Sequence, residues 1–123
     1  MSAGTVAIIG ASADRTKFGH RAVRAYLRRG WEVFPVNPRG GLIEGRPVYA
    51  SVRDVPVPLD RVLLYLPPHL GERVLPDIAA VAPREFFVNP GAESPALVEE
   101  ARRLGLDPIL ACALVAIGAE SDE

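Results

Sequence analysis

The sequence predicts a single α/β domain in which helices cover both faces of a five-stranded parallel sheet. Its 123 residues suit one domain and are too few for two ordinary ones. Short apolar runs rich in β-branched residues alternate with segments of helical period, and this alternation is typical of parallel strands joined by right-handed helical crossovers. Residues 1–123 are therefore expected to form one Rossmann-like domain with three layers, α/β/α.

Five apolar segments are predicted to be the strands of this sheet. They are residues 5–10, 31–36, 61–66, 85–88 and 107–110. The predicted helices between them are residues 19–29, 68–81 and 95–104. A loop over residues 37–47, with a tight turn at Gly40–Gly41, and one helical turn starting at Ser51 connect the second strand to the third. The tail from residue 111 to 123 is expected to contain a weak helix.

The composition is that of a globular protein and argues against several classes of function. Hydrophobic residues make up 49% of the chain, charged residues 24%, and the net charge is −1. This charge offers no basic field to attract nucleic acid, and no apolar run approaches the ~20 residues that span a bilayer. The first residues show no basic stretch followed by a long apolar run, so no secretory signal is expected, and the single cysteine, Cys112, excludes an intramolecular disulfide. We expect a cytoplasmic protein with neither nucleic acid nor membrane as its partner.

Four polar or conformationally special segments follow the predicted strands. In an open parallel sheet the ligand lies beyond the carboxyl ends of the strands, near the point where the strand order reverses. The segments that should converge there are residues 10–17, 37–39, 67–68 and 89–91. Together they predict one shared crevice for a ligand.

The turn after the first strand carries the strongest sign of a phosphate site. Gly10 allows a tight turn and a close approach of backbone to ligand, and the following helix offers unpaired N–H groups and the positive end of its dipole. Ser12 adds a hydroxyl, and Arg15 or Lys17 adds a cation. In the alternative interpretation, Gly10 serves only the turn and Ser12 only caps the helix. Because the three other strand-end segments offer matching chemistry, phosphate binding is favoured over this alternative.

The dinucleotide fingerprint G-x-G-x-x-G is incomplete in this turn. Ser12 and Arg15 occupy the positions of its second and third glycines. The acidic residue that would bind a ribose at the end of the second strand is also missing, because Asn37 stands there. An NAD cofactor is therefore disfavoured.

The turn Gly10-Ala-Ser12, Gly19 before a helix and the strand end Val33-Phe-Pro-Val-Asn-Pro38 form a combined pattern. This pattern closely resembles the small stand-alone CoA-binding proteins, which are related to the nucleotide-binding domain that opens the α subunit of succinyl-CoA synthetase. Residues 60–64 and 91–106 resemble that family more loosely. The resemblance covers nearly the whole chain, and it implies a Rossmann-like fold with coenzyme A or an acyl-CoA as the ligand.

The resemblance also implies roles for individual residues at the first two turns. Gly10, Ala11 and Ser12 would contact the CoA diphosphate through backbone and hydroxyl. Asn37 and Pro38 would flank the adenosine.

The remaining implied roles concern cations and the crevice wall. Arg39 would bind the 3′-phosphate, for which a guanidinium is well suited. The alternative for Arg39, given equal weight, is a solvated loop arginine without a ligand contact. The same two interpretations, a phosphate contact or a solvated side chain, apply to Lys17. Leu66, Pro67 and Pro68 would line the crevice under the adenine or the pantetheine.

The sequence departs from the family pattern in two places. Asn89 stands where the family has a glutamine-containing segment, so either Asn89 substitutes for that segment or its role is lost. The family's D-R-C near the last strand is here Leu110-Ala-Cys112. Only the cysteine is kept, so the resemblance gives the C-terminal segment no site role.

No residue pattern points to catalysis. The synthetases of the resemblance transfer a phosphoryl group through a histidine of a later domain. His20 and His69 are expected to be surface or crevice residues, and Cys112 to be a small buried hydrophobe, with a mixed disulfide to CoA as its alternative.

The sequence thus predicts non-catalytic binding of CoA. The alternatives are a detached subunit of an ADP-forming acyl-CoA synthetase and an NAD(P)-binding regulatory domain, and the apolar segment around Cys112 leaves homodimerisation open.

Overall fold

The computed structural model describes residues 2–121, which form a central five-stranded parallel sheet with helices on both faces. The strands are β1 (Thr5–Ile9), β2 (Glu32–Val36), β3 (Leu42–Ile43), β4 (Arg46–Pro47), β5 (Arg61–Leu64), β6 (Glu85–Val88) and β7 (Pro108–Leu110). The helices are α1 (Phe18–Arg28), α2 (Pro68–Val81) and α3 (Pro95–Arg103), and single 3-10 turns lie at Val52–Asp54 and Val115–Ile117. The predicted fold class is confirmed.

The strand order of the main sheet is β2-β1-β5-β6-β7, while β3 and β4 pair as a separate hairpin. The chain passes outward from β1 to β2 and then returns across β1 to β5, so the strand order reverses between β1 and β5. Ile9 at the end of β1 is level with Val36 of β2 and Leu64 of β5. The turns after these three strands therefore leave the sheet side by side, at the edge where open α/β sheets bind ligands.

Alternate residues of the strands feed two hydrophobic cores, one on each face of the sheet. Ala7 and Ile9 of β1 pack with residues of α2 and α3 on one face. Val6 and Ile8 pack with residues of α1 and of the C-terminal segment on the other. Both faces of β1 are thus covered, which accounts for its uninterrupted apolar sequence.

The loop predicted over residues 37–47 contains the β3–β4 hairpin, and its turn lies at Glu44–Gly45. Both residues have positive φ, +49° for Glu44 and +75° for Gly45, as a two-residue type I′ turn requires. A tight turn was predicted at Gly40–Gly41 instead. Both glycines have positive φ, +66° and +87°, but they precede the hairpin, whose turn at Glu44–Gly45 was not predicted. Glycine is the usual residue at positive φ, and a glutamate in that conformation gives no signal in the sequence.

The C-terminal segment is held by side chains of α1 and of its C-cap residue, Arg29, instead of forming the predicted weak helix. Its only regular structure within the described residues is the 3-10 turn Val115–Ile117. The Tyr26 hydroxyl donates to the carbonyl oxygen of Ala113 at 2.8 Å, and Arg29 Nε donates to that of Ile117 at 2.9 Å. These carbonyl groups are therefore bonded across the interface with α1. The last two residues of the predicted tail, 122 and 123, lie outside the described residues.

The longest helix is α2, which has 14 residues. It begins with Pro68 at its first position, as predicted, because the N–H that proline lacks would have no helical partner there. Within residues 2–121, no helix combines the length and the apolar content needed to cross a bilayer.

Replacing Tyr26 with phenylalanine tests how strongly the C-terminal segment is held. The change removes the hydroxyl that donates to Ala113 O and accepts from Arg61 Nη1 at 3.2 Å. Because a buried carbonyl then loses its partner, we expect the free energy of unfolding to fall by about 1–3 kcal/mol in urea denaturation. The control is Tyr49→Phe, since the Tyr49 hydroxyl makes no hydrogen bond within the described residues. Equal losses in the two variants would contradict this account.

Candidate functional site

The turn after β1 presses against the exit of β5, and only glycine fits at its first position. Gly10 has φ +89°, and a Cβ at this residue would lie 2.5 Å from the carbonyl oxygen of Tyr65. The Gly10 N–H donates to Val36 O at 3.2 Å, which ties the same turn to β2. Gly10 therefore lies where the ends of β1, β2 and β5 meet.

A second glycine allows α1 to start directly against this turn. A Cβ at Gly19 would lie 2.3 Å from the carbonyl oxygen of Gly10. Close helix–strand packing is the role of the third glycine in the dinucleotide fingerprint. In this chain the role falls to residue 19 instead of residue 15, because the loop before the helix is longer. The fingerprint spacing therefore misses Gly19, which was noted in the sequence only as the glycine before a helix in the family pattern.

Two side chains hold successive carbonyl groups of the turn after β1. Asn37 Nδ2 donates to Ala11 O at 2.8 Å, and His20 Nδ1 donates to Ser12 O at 2.7 Å. The C=O and N–H of a trans peptide point in opposite directions, so the N–H groups of Ser12 and Ala13 face away from Asn37 and His20. Neither N–H has a hydrogen-bond partner within residues 2–121. Both N–H groups are therefore left free to donate a hydrogen bond to a ligand.

Helix α1 begins beside these amides. Its N-cap is Lys17, whose side chain makes no capping hydrogen bond, and the N–H groups of Phe18 and Gly19 have no partner in the described part of the chain. Free N–H groups and the helix dipole favour an anion at this end. The Ser12 hydroxyl oxygen accepts from the Asp14 N–H at 3.0 Å. The alternative interpretation of Ser12 as the helix cap is therefore wrong.

The loop that leads from the turn into α1 is braced by Asp14. Its Oδ1 accepts from the Thr16 N–H at 2.9 Å and from the Thr16 hydroxyl at 2.7 Å, and these hydrogen bonds lower the pKa of Asp14. The Asp14 carbonyl oxygen accepts from the Lys17 N–H at 3.1 Å. The Asp14 carboxylate therefore makes its hydrogen bonds within the loop, while Arg15 and Lys17 remain exposed beside it.

Two cavities open at the carboxyl edge of the sheet, and Gly10 and Leu66 line both of them. The larger, of about 580 Å³, lies among the turns that follow β1, β5 and β6. The smaller, of about 280 Å³, lies between the end of β2 and helix α2. The predicted convergence of the strand-end segments therefore takes the form of two adjoining cavities.

Most of the predicted site residues reach these cavities. The larger is lined by Gly10, Ser12, Lys17, Leu66, Pro67 and Asn89. The smaller is lined by Gly10, Asn37, Pro38 and Leu66. Ala11 is fully buried beneath the turn, so only its backbone can face a ligand. Arg39, which is exposed, and Pro68, which starts α2, lie outside both linings.

Asn89 lines the larger cavity, but its side chain also organises the protein. It is 1% exposed, its Nδ2 donates to Leu64 O at 3.1 Å, and its Oδ1 accepts from the Ala113 N–H at 2.8 Å. Asn89 therefore joins the end of β5 to the C-terminal segment, which brings Cys112 to the wall of the same cavity.

The two histidines have different surroundings. His69 is exposed near the start of α2, as expected. His20 is 3% exposed, so its expected place at the surface or in the crevice was wrong. The close approach of Gly19 to Gly10 brings the first turn of α1 down onto the preceding loop, and this buries His20, the third residue of the helix.

Cys112 is half-buried, where a buried hydrophobe was expected.

One face of α2 lines the smaller cavity and was missed by sequence reasoning. The residues are Leu70, Arg73, Val74 and Asp77. Their spacing of three and four positions is that of a single helical face. The pattern was visible in the sequence, but the direction in which this face points depends on how α2 packs on the sheet.

Tyr65 contributes a buried hydroxyl at the wall of the larger cavity. Its hydroxyl oxygen has no hydrogen-bond partner within the described residues, and burial raises the pKa of Tyr65. The ring therefore stays neutral and presents a largely apolar surface. Residues 2–121 contain no group of three His, Cys, Asp or Glu side chains that could hold a metal ion.

The reversed strand order and the glycine turn at the carboxyl edge of the sheet define a Rossmann-like α/β domain. Within this class, the chain belongs to the CoA binding domain family, whose profile matches residues 4–118. The resemblance seen in the Gly10-Ala-Ser12 turn and the Val33–Pro38 segment is thereby confirmed.

Two curated relatives are subunits of ligases from Pyrococcus furiosus. The chain is 38% identical over 77 residues to the ADP-forming acetate–CoA ligase I subunit alpha, and 31% identical over 71 residues to the corresponding ligase II subunit alpha. These alignments cover 58% and 57% of this chain. The chain spans about a sixth of the length of these relatives, at 17% and 16%.

Similar solved structures include both short chains and parts of long ones. A conserved hypothetical protein from Pyrococcus furiosus has a TM-score of 0.80 and 30% identity, covering 89% of this chain and 93% of that chain. A protein from Thermus thermophilus has a TM-score of 0.83 and 28% identity, covering 91% and 86%. The dinucleotide-forming acetyl-coenzyme A synthetase 1 of Ca. Korarchaeum cryptofilum, in complex with phosphate and ADP, has a TM-score of 0.77 and 26% identity, covering 89% of this chain and 26% of the synthetase.

The variant Gly19→Ala tests the packing of α1 against the turn. Its Cβ would meet the Gly10 backbone carbonyl at 2.3 Å, which cannot move without displacing the turn. The matched control is Gly71→Ala in α2, where the nearest atom is the end of the Leu97 side chain at 2.9 Å. Both changes gain helix propensity, so we expect Gly19→Ala to lower the free energy of unfolding by about 2 kcal/mol more than the control in urea denaturation. Similar free energies of unfolding for the two variants would show that the turn after β1 can move at little cost in free energy.

Proposed function

We propose that this chain binds coenzyme A or an acyl-CoA across the carboxyl edge of its sheet, with the diphosphate at the turn after β1. The observation that carries this proposal is the pair of unpartnered N–H groups of Ser12 and Ala13 next to the start of α1. Backbone N–H groups at a helix N-terminus bind phosphate through hydrogen bonds and the helix dipole. Membership of the CoA binding domain family supports CoA over other phosphate ligands.

The two cavities suit a ligand whose ends differ in chemistry and are joined by a diphosphate. In this proposal the adenosine lies in the smaller cavity, between Asn37–Pro38 and α2. The pantetheine lies in the larger cavity, which passes Pro67 and reaches Cys112. Gly10 lines both cavities, so the diphosphate between the two ends would lie against it.

The 3′-phosphate of CoA would lie on the side of the smaller cavity. Arg39 follows the cavity-lining Asn37–Pro38 pair, and its N–H donates to Asn37 Oδ1 at 2.9 Å, which fixes its backbone there. Arg73 of α2 supplies a second guanidinium on the cavity wall. Two guanidinium groups can bind a phosphate through charge-assisted, bidentate hydrogen bonds.

The role of the chain in this proposal is binding without catalysis. Both ring nitrogens of His20 lie within hydrogen-bond distance of protein oxygens, and His69 lies outside the linings of both cavities. A general base needs a nitrogen within reach of a bound substrate. The Cys112 thiol is the remaining nucleophile candidate on the wall of the larger cavity, next to the neutral Tyr65 ring.

A second candidate function is that of the CoA-binding subunit of an ADP-forming acyl-CoA synthetase. The observation that favours it is the similarity to the two ligase alpha subunits. In that case a partner chain would supply the phosphoryl-transfer histidine and the ATP-grasp part. Size-exclusion chromatography of native extract distinguishes the two functions, because a monomer or homodimer argues against the subunit role.

Isothermal titration calorimetry with CoA, dephospho-CoA and NAD tests the leading proposal. We expect CoA to bind tightest and NAD weakest, because no carboxylate follows β2 to bind the NAD ribose. Loss of the 3′-phosphate should weaken binding about ten-fold, since charge-assisted hydrogen bonds to a guanidinium are lost. Absence of CoA binding would overturn the proposed ligand. Equal affinities for CoA and dephospho-CoA would overturn the role of Arg39.

The variant Lys17→Ala tests the cation at the diphosphate. Lys17 lines the larger cavity beside Ser12, whereas Arg15 is exposed and lines neither cavity. We expect Lys17→Ala to weaken CoA binding by about five-fold at low salt and Arg15→Ala by much less, measured by the same titration. The difference should shrink at high salt, because screening weakens the contribution of an exposed cation. Equal effects of the two variants would mean that only the net charge of the loop matters.

A further inference from the structure

The larger of the two cavities is polar at one end and largely apolar over the rest of its wall. Its polar end is the turn after β1, where Ser12 and Lys17 line it. Most of the other lining residues that have a side chain are apolar or carry a thiol: Phe18, Leu66, Pro67, Pro90, Ala92 and Cys112. In the proposed function, this apolar part of the cavity receives the pantetheine and its sulfur.

Two further polar side chains belong to the wall, but neither offers its polar atoms to a ligand. Asn89 is 1% exposed, and its Nδ2 and Oδ1 are bonded to Leu64 O and to the Ala113 N–H. The hydroxyl oxygen of Tyr65 is buried away from solvent. Apart from the Cys112 thiol, the described residues on this part of the wall therefore present no side-chain donor or acceptor that a ligand can reach.

Phe18 is a large hydrophobic side chain that folding leaves uncovered at this cavity. It is the first residue of α1, it lines the cavity, and it is 58% exposed. The Arg21 guanidinium lies 4.9 Å from the centre of its ring and donates through Nη2 to the Glu120 carbonyl oxygen at 3.4 Å. The ring therefore stands at the mouth of the cavity, between α1 and the C-terminal segment, where a ligand could cover it.

A free thiol and an acyl thioester would use this part of the cavity differently. The thiol of CoA is small and a weak hydrogen-bond donor, so it would leave the apolar wall and the Phe18 ring in contact with water. An apolar chain on the same sulfur would displace that water, and each buried methylene group would favour binding. The cavity of about 580 Å³ lies within the range of roughly 300–1,000 Å³ that encloses drug-sized ligands, which are larger than the pantetheine arm alone.

We propose that the apolar part of the larger cavity is an acyl site, and that it takes a CoA thioester with an uncharged, apolar acyl chain longer than acetyl. This inference rests on the proposed binding of CoA and adds the class of the acyl group. Phe18 is a specificity-determining residue of the site, because a chain beyond the sulfur covers its ring and the thiol alone does not. A carboxylate at the end of the chain is disfavoured, because the apolar wall would remove its water, and the Arg21 guanidinium already faces the Phe18 ring and Glu120 O.

Isothermal titration calorimetry with acetyl-CoA, butanoyl-CoA and succinyl-CoA tests the class of the acyl group. Butanoyl and succinyl chains have the same number of carbons, so this pair isolates the effect of the terminal carboxylate. We expect butanoyl-CoA to bind about ten-fold tighter than acetyl-CoA, since two more methylene groups leave water, and succinyl-CoA to bind no tighter than acetyl-CoA. Equal affinities for acetyl-CoA and butanoyl-CoA would overturn the acyl site. A succinyl-CoA that binds as tightly as butanoyl-CoA would overturn its apolar character.

The variant Phe18→Ala tests the wall of the acyl site, with Leu42→Ala as its matched control. Both side chains are exposed hydrophobics, but Leu42 is part of β3 and lines neither cavity. We expect Phe18→Ala to weaken the binding of butanoyl-CoA about five-fold more than that of CoA, because the ring covers the acyl chain. Leu42→Ala should change both affinities by the same factor. An equal loss for the two ligands in Phe18→Ala would overturn the role of the ring.

A titration with CoA alongside these thioesters separates the acyl site from the proposed function. If CoA binds and butanoyl-CoA binds no tighter, the acyl site fails while the proposed function stands. If neither CoA nor any thioester binds, the proposed function fails and the acyl site fails with it.

Discussion

The contact between the start of α1 and the end of β1 determines the form of the site. The helix can come this close only because Gly19 has no side chain to meet the Gly10 carbonyl, and Gly10 itself has none to meet Tyr65 O. The same contact brings Phe18 and Gly19, whose N–H groups have no partner within residues 2–121, to the wall of the cavity that Ser12 also lines. An edge that carries free N–H donors thus follows from close backbone packing.

Polar side chains at this edge, buried at His20 and Asn89 and half-buried at Asn37, shape the backbone. Asn37, His20 and Asn89 each bond a backbone carbonyl of a different segment, at Ala11, Ser12 and Leu64. A buried amide or imidazole is costly unless it is hydrogen-bonded, and once bonded it holds its partner in one orientation. These residues therefore fix which way the peptide units of the turns point. In the proposed function, the ligand is then met largely by backbone N–H groups, while side chains such as Lys17 add charge.

The sequence was sufficient for the features set by local pattern. The apolar runs of β1, β2 and β5 and the glycine turn after β1 predicted the sheet and the edge at which its cavities lie. The features that depend on contacts between distant segments were not predictable. The burial of His20 requires the approach of Gly19 to Gly10, and the hairpin turn requires Glu44 in a conformation that its residue type disfavours. The direction of the α2 face depends on how that helix packs on the sheet.

The same reasoning explains why the dinucleotide fingerprint fails in this chain. A ribose-binding carboxylate would stand at the position of Asn37, but the Asn37 amide donates a hydrogen bond to Ala11 O at 2.8 Å. An ionised carboxylate cannot donate, and its negative charge would repel the carbonyl oxygen that the amide now holds. Residue 37 therefore cannot both donate a hydrogen bond to Ala11 O and supply the carboxylate that usually binds the NAD ribose. Asparagine at this position supplies the hydrogen bond that holds the turn, which an ionised carboxylate could not make.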